Sequence, residues 1–431
     1  MKSKQTQLFR QQTMFFKQSI VSFLFFLASQ IAFGQKSYTL EDCEGAFRKN
    51  NLLLLAQQYN ISASQAAVIQ AKIWELPFFS GEFNLINPQD GRVADVGGQG
   101  QKAFQVQQLI YLGGKKKNEV AFAKSNIAIA ELQLEQLIRN LRYQLRQSFY
   151  VLYFEQQKIK SLSSQVAIVD TLAKAFSVQA AKNNIPLKDV VRLQSLSLNI
   201  TNEILSTKKN INSEQENIKI ITGIEGQIVP NVQESDLELV YNQKLLQSVE
   251  ALYETSLEKN PEYLSFLKII ESDELRLKWQ KSLSTPDLTL GASYDQRGGA
   301  FANQVNVTFG IPLKIWDRNR GNIKVAESQL GQTKLEKDFK RWELKNKIES
   351  AYLTWKQQQE QYLQVREVTK GNFEIVYKGV LQNFQKRNIS LLDFTDFMES
   401  YSQSLLNLND IQKQVVLSGE VLNYLVNEKL F

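Results

Sequence analysis

Lys182-Asn183-Asn184-Ile185-Pro186-Leu187-Lys188-Asp189 returns 204 residues later as Lys386-Arg387-Asn388-Ile389-Ser390-Leu391-Leu392-Asp393. Upstream, Gln147-Ser148-Phe149-Tyr150 aligns with Ser350-Ala351-Tyr352-Leu353. Self-similarity at a long and nearly constant offset marks a duplicated structural unit. Each octet reads as a tight turn closing one helix and opening another, because Asn tolerates the left-handed backbone that ends helices.

The segments entering the turns carry the strongest helical signal. From Lys115 to Ile185 there is neither proline nor glycine, so the two strongest helix breakers are missing. Along this span runs an apolar seam through Leu134, Ile138, Leu141, Leu145, Phe149 and Leu152. It continues through Ile159, Leu162, Val166, Val169, Ala173 and Phe176, and only Gln156 interrupts it. Its mean period of about 3.5 residues specifies a left-handed coiled coil. The second long helix is expected from about 321 to 386, weakened locally by Gly331, Gly371 and Gly379. Returning helices follow at about 187–222 and 390–429. Short helices at Leu52–Trp74 and Pro261–Leu283 make up their deficit in length. Stacked end to end, a short and a returning helix total roughly 60 residues at about 1.5 Å each, so each repeat can form an antiparallel pair of rods.

Before each long helix lie two strand candidates, within about 78–112 and 286–313. Val305-Asn306-Val307-Thr308-Phe309-Gly310-Ile311 alternates strictly. Leu288, Leu290, Ala292 and Tyr294 alternate with Thr289, Gly291, Ser293 and Asp295, and Phe79, Gly81, Phe83 and Leu85 with Ser80, Glu82 and Asn84. Phe104-Gln105-Val106-Gln107 opens the weakest of the four. Strands of about 10 residues with one apolar face, flanked by Trp74, Phe78, Tyr111, Tyr294 and Trp316, suit an outer membrane. Four strands cannot close, and open edges in hydrocarbon cost several kcal/mol per unpaired group. Two chains would supply eight strands and three would supply twelve. Only the larger barrel leaves an aqueous lumen, which favours a homotrimer.

Composition narrows the function. No stretch beyond residue 35 is apolar for the roughly 20 residues a membrane helix needs. Residues 1–34 read as a secretory signal: Lys2, Lys4, Arg10 and Lys17, an apolar run from Ile20 to Phe33, and Ala32-Phe33-Gly34. A retained anchor is the other reading. Cleavage takes the formal charge from +7 to about +3, which points to no nucleic acid. Cys43 is the only cysteine, so no internal disulfide forms; it reads as a half-buried helix residue. There is no histidine. Metal sites would have to be carboxylate-only, and histidine-dependent catalysis is excluded. No nucleophile, base and oxyanion site assemble, so the chain reads as no enzyme and needs no cofactor. Lys115, Lys116, Lys117, Lys124, Lys314, Arg318, Arg320 and Lys324 read as a solvated or headgroup-facing collar at the foot of the strands. Gly97-Gly98-Gln99-Gly100 reads as an exposed loop, since it opens no helix.

The chain as a whole is expected to be mainly α with a small β part. It divides into a signal (1–34), a first repeat (35–222), a polar linker around the rods' midsection (223–244) and a second repeat (245–431).

Taken with these motifs, the chain resembles the TolC-type outer membrane efflux protein family over essentially the whole mature sequence. Gln108-Leu109-Ile110-Tyr111-Leu112-Gly113-Gly114-Lys115 is similar to the family's apolar-glycine-basic passage from strand to long helix. Ile311-Pro312-Leu313 followed by Asp317-Arg318-Asn319-Arg320-Gly321 is its second-repeat counterpart, and Phe384 to Asp393 resembles the helix-tip motif, with Arg387 where the family usually has glycine. The resemblance implies a trimer with a twelve-stranded outer-membrane barrel and a long periplasmic coiled-coil barrel. Such a trimer receives substrate from an inner-membrane pump through a periplasmic adaptor (membrane fusion protein). It implies adaptor- and pump-facing tips at Asn183, Asn184, Ile185, Pro186, Arg387, Asn388, Ile389 and Ser390. It also implies a cation-attracting constriction at Asp393 and Asp396, whose i, i+3 spacing shares one helix face. Asp393 alternatively caps the returning helix. A secreted coiled-coil adaptor or structural protein without a barrel is the rival reading.

Overall fold

A computed structural model describes residues 37–298, 300–369 and 372–431. The proposed signal at 1–34 and Gly371 lie outside these. In chain order the elements are β1 (Ser37–Tyr38), α1 (Leu40–Asn50), α2 (Leu52–Lys72), β2 (Phe78–Phe83), β3 (Gln101–Ile110), α3 (Lys115–Ala181) and α4 (Leu187–Thr222). There follow β4 (Val229–Pro230), α5 (Glu234–Asn242), α6 (Val249–Lys259), α7 (Pro261–Ser282), β5 (Leu288–Arg297) and β6 (Phe301–Gly310). The chain ends with α8 (Arg320–Thr369), α9 (Asn372–Gln385) and α10 (Leu391–Val426). The molecule is mainly helical with few strands. No described helix is long and apolar enough to cross a membrane.

The 67-residue α3 occupies the span free of proline and glycine. None of its thirteen seam positions is exposed, Gln156 included. The second long segment is described as two helices, α8 and α9. β2 has six residues rather than about ten, because the chain beyond Phe83 leaves the ladder for an Ile86–Val93 bridge that encloses a turn in which the Gln89 amide donates to Asn87 Oδ1.

One compact unit comprises the described residues up to Asn51 with Gln144–Gln243 and Gln358–Leu417. Its larger core joins four helices: Leu162 and Val169 of α3, Leu193 and Leu196 of α4, Phe384 of α9 and Phe394 of α10. The Phe384 and Phe394 rings stack at 4.2 Å, and truncating one such aromatic costs about 3–5 kcal/mol. A second core sets Leu237 and Tyr241 of α5 against Phe154, Tyr362 and Val416. The linker is therefore not merely polar chain. Leu237 and Tyr241 at i, i+4 make a short amphipathic helix, and β4 pairs in parallel with β1.

α1 opens with a capping box between Thr39 and Asp42. Just beyond α1, Asn51 Nδ2 donates to the Ile221 carbonyl at 2.8 Å, meeting an otherwise orphaned acceptor at the end of α4. Cys43 is fully buried, not half-buried, because α1 turns that face inward with Phe47. Burial, with Asp42 and Glu44 beside it, pushes its thiol up to about 12.

The second unit comprises Leu52–Tyr143, Lys244–Gln357 and Ser418–Phe431. Its core gathers Leu252, Tyr263, Leu344, Ile348 and Leu425. α7 is started by Asn260, whose side chain accepts from the Glu262 and Tyr263 amides ahead of Pro261 at the first helical position. A charged chain crosses this core. Buried Arg139 reaches Glu262 at 3.3 Å, Glu262 meets Lys340 at 2.5 Å, and Lys340 meets Glu343 at 2.8 Å. Arg139 also lies over the Tyr424 ring at 4.5 Å.

Candidate functional site

The first candidate site is the four-stranded antiparallel sheet, ordered β2-β3-β5-β6. Its register sorts side chains by polarity across all four strands. Gly81 opposes Phe104, Phe104 opposes Tyr294, and Tyr294 opposes Val305. The next row runs Phe79, Val106, Ala292, Val307. On the other face Ser80, Gln105, Ser293 and Asn306 form one row. A one-residue slip in any strand would mix the faces, so the alternation fixes the register. The apolar face is open: Val307 is 83% and Phe309 79% exposed. A contiguous apolar surface of this kind marks contact with lipid or protein. Each edge strand, β2 and β6, has a partner on one side only.

Aromatic side chains gather where strands pass into helices. Trp74 and Tyr111 rings lie 5.6 Å apart, and Trp316 is 89% exposed. In the first passage Gly113 and Gly114 both take positive φ, 66° and 73°. A Cβ on Gly113 would come within 2.6 Å of Thr285, so both conformation and space require glycine there. Asn319 supplies the left-handed residue of the second passage, φ 57°, and bonds back to the Gln280 carbonyl.

The basic collar is only partly solvated. Lys117, Lys124, Arg318, Arg320 and Lys324 are exposed. Lys115 is instead buried, with Nζ 2.6 Å from Asp287, whose carboxylate also accepts from the Leu112 amide at 3.1 Å. A lysine opening a long helix faces the positive end of the helix dipole. The aspartate offsets that repulsion. The Lys314 ammonium is likewise committed to the Leu283 carbonyl. Gly97 and Gly98 lie in an exposed loop that opens no helix, whereas Gly100 is buried. Among the described residues no carboxylate and thiol cluster is placed to hold a metal ion.

The two hairpin tips form the second candidate site, in the other unit. At the first tip the Asn183 amide donates to Ala180 at 2.9 Å and the Asn184 amide to Gln179 at 3.0 Å. At the second tip the Arg387 amide donates to Phe384 at 2.9 Å and the Asn388 amide to Asn383 at 2.8 Å. Both patterns are Schellman motifs. Ile185 and Ile389, two residues past the left-handed position, are half-buried. The tips diverge at the next residue. Pro186 precedes α4 with no side-chain cap, while Ser390 precedes α10 inside a capping box. An open cavity of about 770 Å³ lies against the first tip, lined by Ser177, Ala181, Ile185, Pro186, Val190 and Gln194.

The Asp393 carboxylate accepts from the Ser390 hydroxyl at 2.7 Å and from its amide at 3.3 Å, so it caps α10. Asp393 and Asp396 are both exposed, one turn apart on the same helix. Capping leaves Asp393 open to solvent. The serine-to-aspartate spacing of this box was legible in the sequence. The Lys115–Asp287 pair was not, since its members are 172 residues apart.

Residues 243–427 match the family model for outer membrane efflux proteins. The cobalt-zinc-cadmium resistance protein CzcC of Cupriavidus metallidurans is 22% identical over 295 residues, covering 68% of this chain and 66% of that protein. The solved Campylobacter jejuni CmeC outer membrane channel superposes with a TM-score of 0.72 at 14% identity, over 90% of this chain and 86% of that one. The CusC structure gives 0.71 at 12% identity, over 90% and 91%. These superpositions establish the fold, few strands and long helices arranged as in those solved structures. Over residues 243–427 the chain is similar to the outer membrane efflux protein family, and over 90% of its length it shares the fold of these solved channels.

Proposed function

We propose that this protein is the outer-membrane channel component of a tripartite efflux or type I secretion system, a passive exit duct from the periplasm to the exterior. The observation that carries the reading is the sheet: one apolar face, one polar face and two unsatisfied edges. In hydrocarbon those edges must be paired. Three copies joined β6 to β2 make a twelve-stranded barrel, with the apolar face toward lipid and the Ser, Gln and Asn rows lining a water-filled lumen. Exposed Val307 and Phe309 weigh against the rival reading of a secreted protein that never enters a membrane.

Energy comes from a pump in the inner membrane, received through a periplasmic adaptor at the hairpin tips. Asp393 and Asp396 form the constriction: three copies bring six exposed carboxylates around one axis, a ring that attracts cations. Because selection belongs to the pump, the wall itself is generic. The relative named for cobalt, zinc and cadmium resistance makes divalent cations the first cargo to assay.

Planar bilayers test the reading. Purified protein should give discrete, cation-preferring conductance steps. A protein that stays in solution without detergent and gives no conductance would contradict it.

A further inference from the structure

We propose that the passage from β6 into α8 is a binding surface for anionic phospholipid. Leu313 and Trp316 enter the acyl edge of the bilayer, and Arg318, Arg320 and Lys324 take the headgroup phosphate. The proposal rests on the outer-membrane reading above and adds a lipid class to it.

This passage is folded inside out for a loop in water. Two ties hold it to the end of α7. The Lys314 ammonium donates to the Leu283 carbonyl, and Asn319 Nδ2 donates to the Gln280 carbonyl at 2.8 Å. Between them the Asp317 carboxylate accepts from the Asn319 amide at 2.9 Å. The side chains left facing outward are apolar: Ile311, Leu313, Ile315 and Trp316 are all exposed. A lysine in a solvated loop keeps its charge in water while leucine and tryptophan pack beneath it. Here the ammonium is turned in and the apolar side chains are turned out. The first passage shows the same inversion, with Lys115 buried on Asp287 while Trp74, Leu76 and Phe78 are exposed. Both inward lysines end on the short connection between α7 and β5, residues 283–287.

The apolar tip continues a face of the sheet. Val305, Val307 and Phe309 are exposed along it, and Ile311 and Leu313 keep the alternation past Gly310, where the ladder ends. Cations begin where this column stops. Arg318, Arg320 and Lys324 are exposed, and Lys281 joins them from the last turn of α7. Two carboxylates face these four cations. Glu327 lies 3.7 Å from Lys281 and 3.9 Å from Lys324, and Asp317 is engaged by the Asn319 amide. Positive charge is left in excess, and among the described residues neither Arg318 nor Arg320 has an ion-pair partner.

A phospholipid is the occupant because this order of groups matches a bilayer interface, acyl chain first and phosphate next. Anionic headgroups complement the excess charge, and guanidinium groups hold phosphate oxygens through paired N–H donors.

Native mass spectrometry of the full chain in detergent micelles, supplied with phosphatidylglycerol or phosphatidylcholine, reads the headgroup preference. The parent should retain phosphatidylglycerol over phosphatidylcholine. Arg318→Gln with Arg320→Gln and Lys324→Gln should weaken that retention about tenfold or more. Arg318→Lys with Arg320→Lys should keep most of it.

Depth is read by fluorescence in vesicles whose acyl chains carry bromine near the headgroup end or near the methyl end. The Trp316 contribution, taken as the difference from Trp316→Phe, should be quenched most by the shallow bromines. Val307→Trp, on the apolar face of the sheet, is the control and should be quenched in both. Equal retention of the two lipids, or unchanged retention in the triple variant, overturns the proposal. Quenching of Val307→Trp but not of Trp316 would mean that a neighbouring protein surface covers the passage. That result overturns the lipid surface and leaves the barrel standing. Quenching of neither overturns the outer-membrane reading together with it.

Discussion

Asn183 and Arg387 hold the same backbone state, φ 60° and 63°, at equivalent points of the two hairpin tips. Asn enters the left-handed region at small cost, whereas for a long side chain the cost is about 1–2 kcal/mol. The second tip keeps the shape of the first because its Schellman bonds and the Phe384–Phe394 stack hold it there. Arg387→Gly should therefore stabilise that tip by about 0.5–1 kcal/mol, the relief of strain being reduced by glycine's unfolded-state entropy. Slower amide exchange at Arg387 and Asn388 would report it. Faster exchange would show that the arginine side chain itself supports the turn.

Capping and charge at the second tip can be separated. Ser390→Ala breaks the capping box but leaves both carboxylates in place, and should cost about 1 kcal/mol of local stability. Asp396→Asn removes a charge that takes no part in the box. If the aspartates form the constriction, Asp396→Asn lowers cation preference in single-channel recordings while Ser390→Ala leaves it unchanged. Equal effects from the two variants would assign the result to tip shape instead.

The buried Lys115–Asp287 pair should be costly to break from one side. Asp287→Ala leaves an enclosed ammonium without its counter-charge and should cost about 3–5 kcal/mol, whereas Lys115→Met with Asp287→Leu should cost much less. Thermal dissociation of the purified protein measures both. A single variant as stable as the parent would show that water reaches Lys115.

Acid sensitivity has an identifiable contributor. Hydrogen bonds from Lys340 and Lys347 hold Glu343 below the ordinary glutamate value of 4.5. Its folded pKa is depressed, so its contribution is fully present above that value and is lost as pH falls through the folded pKa. Glu343→Gln should flatten the decline in thermal stability below about pH 4.5. An identical acid slope in the variant would place the sensitivity elsewhere.

Local signals carried far in this chain. The absence of proline and glycine between Lys115 and Ile185 is matched by α3, and strict alternation around Val307 by β6, because both report a periodicity that one segment imposes alone. Features needing a distant partner stayed hidden. Lys115 read as solvated because Asp287 lies far along the chain, and Cys43 as half-buried because only packing shows which face of α1 is enclosed. α5 lies concealed in a polar stretch, since Leu237 and Tyr241 are too few to mark a helix until Phe154 and Tyr362 cover them. The tips were legible as turns, but the identity of their backbones was not, as arginine gives no sign of a left-handed conformation.

In the trimeric reading one chain holds only part of a closed wall. Native mass spectrometry of protein extracted from outer membranes into detergent tests it most directly. The account predicts a complex of three copies that separates into single chains only on denaturation. A stable single chain, soluble once detergent is withdrawn, would contradict it.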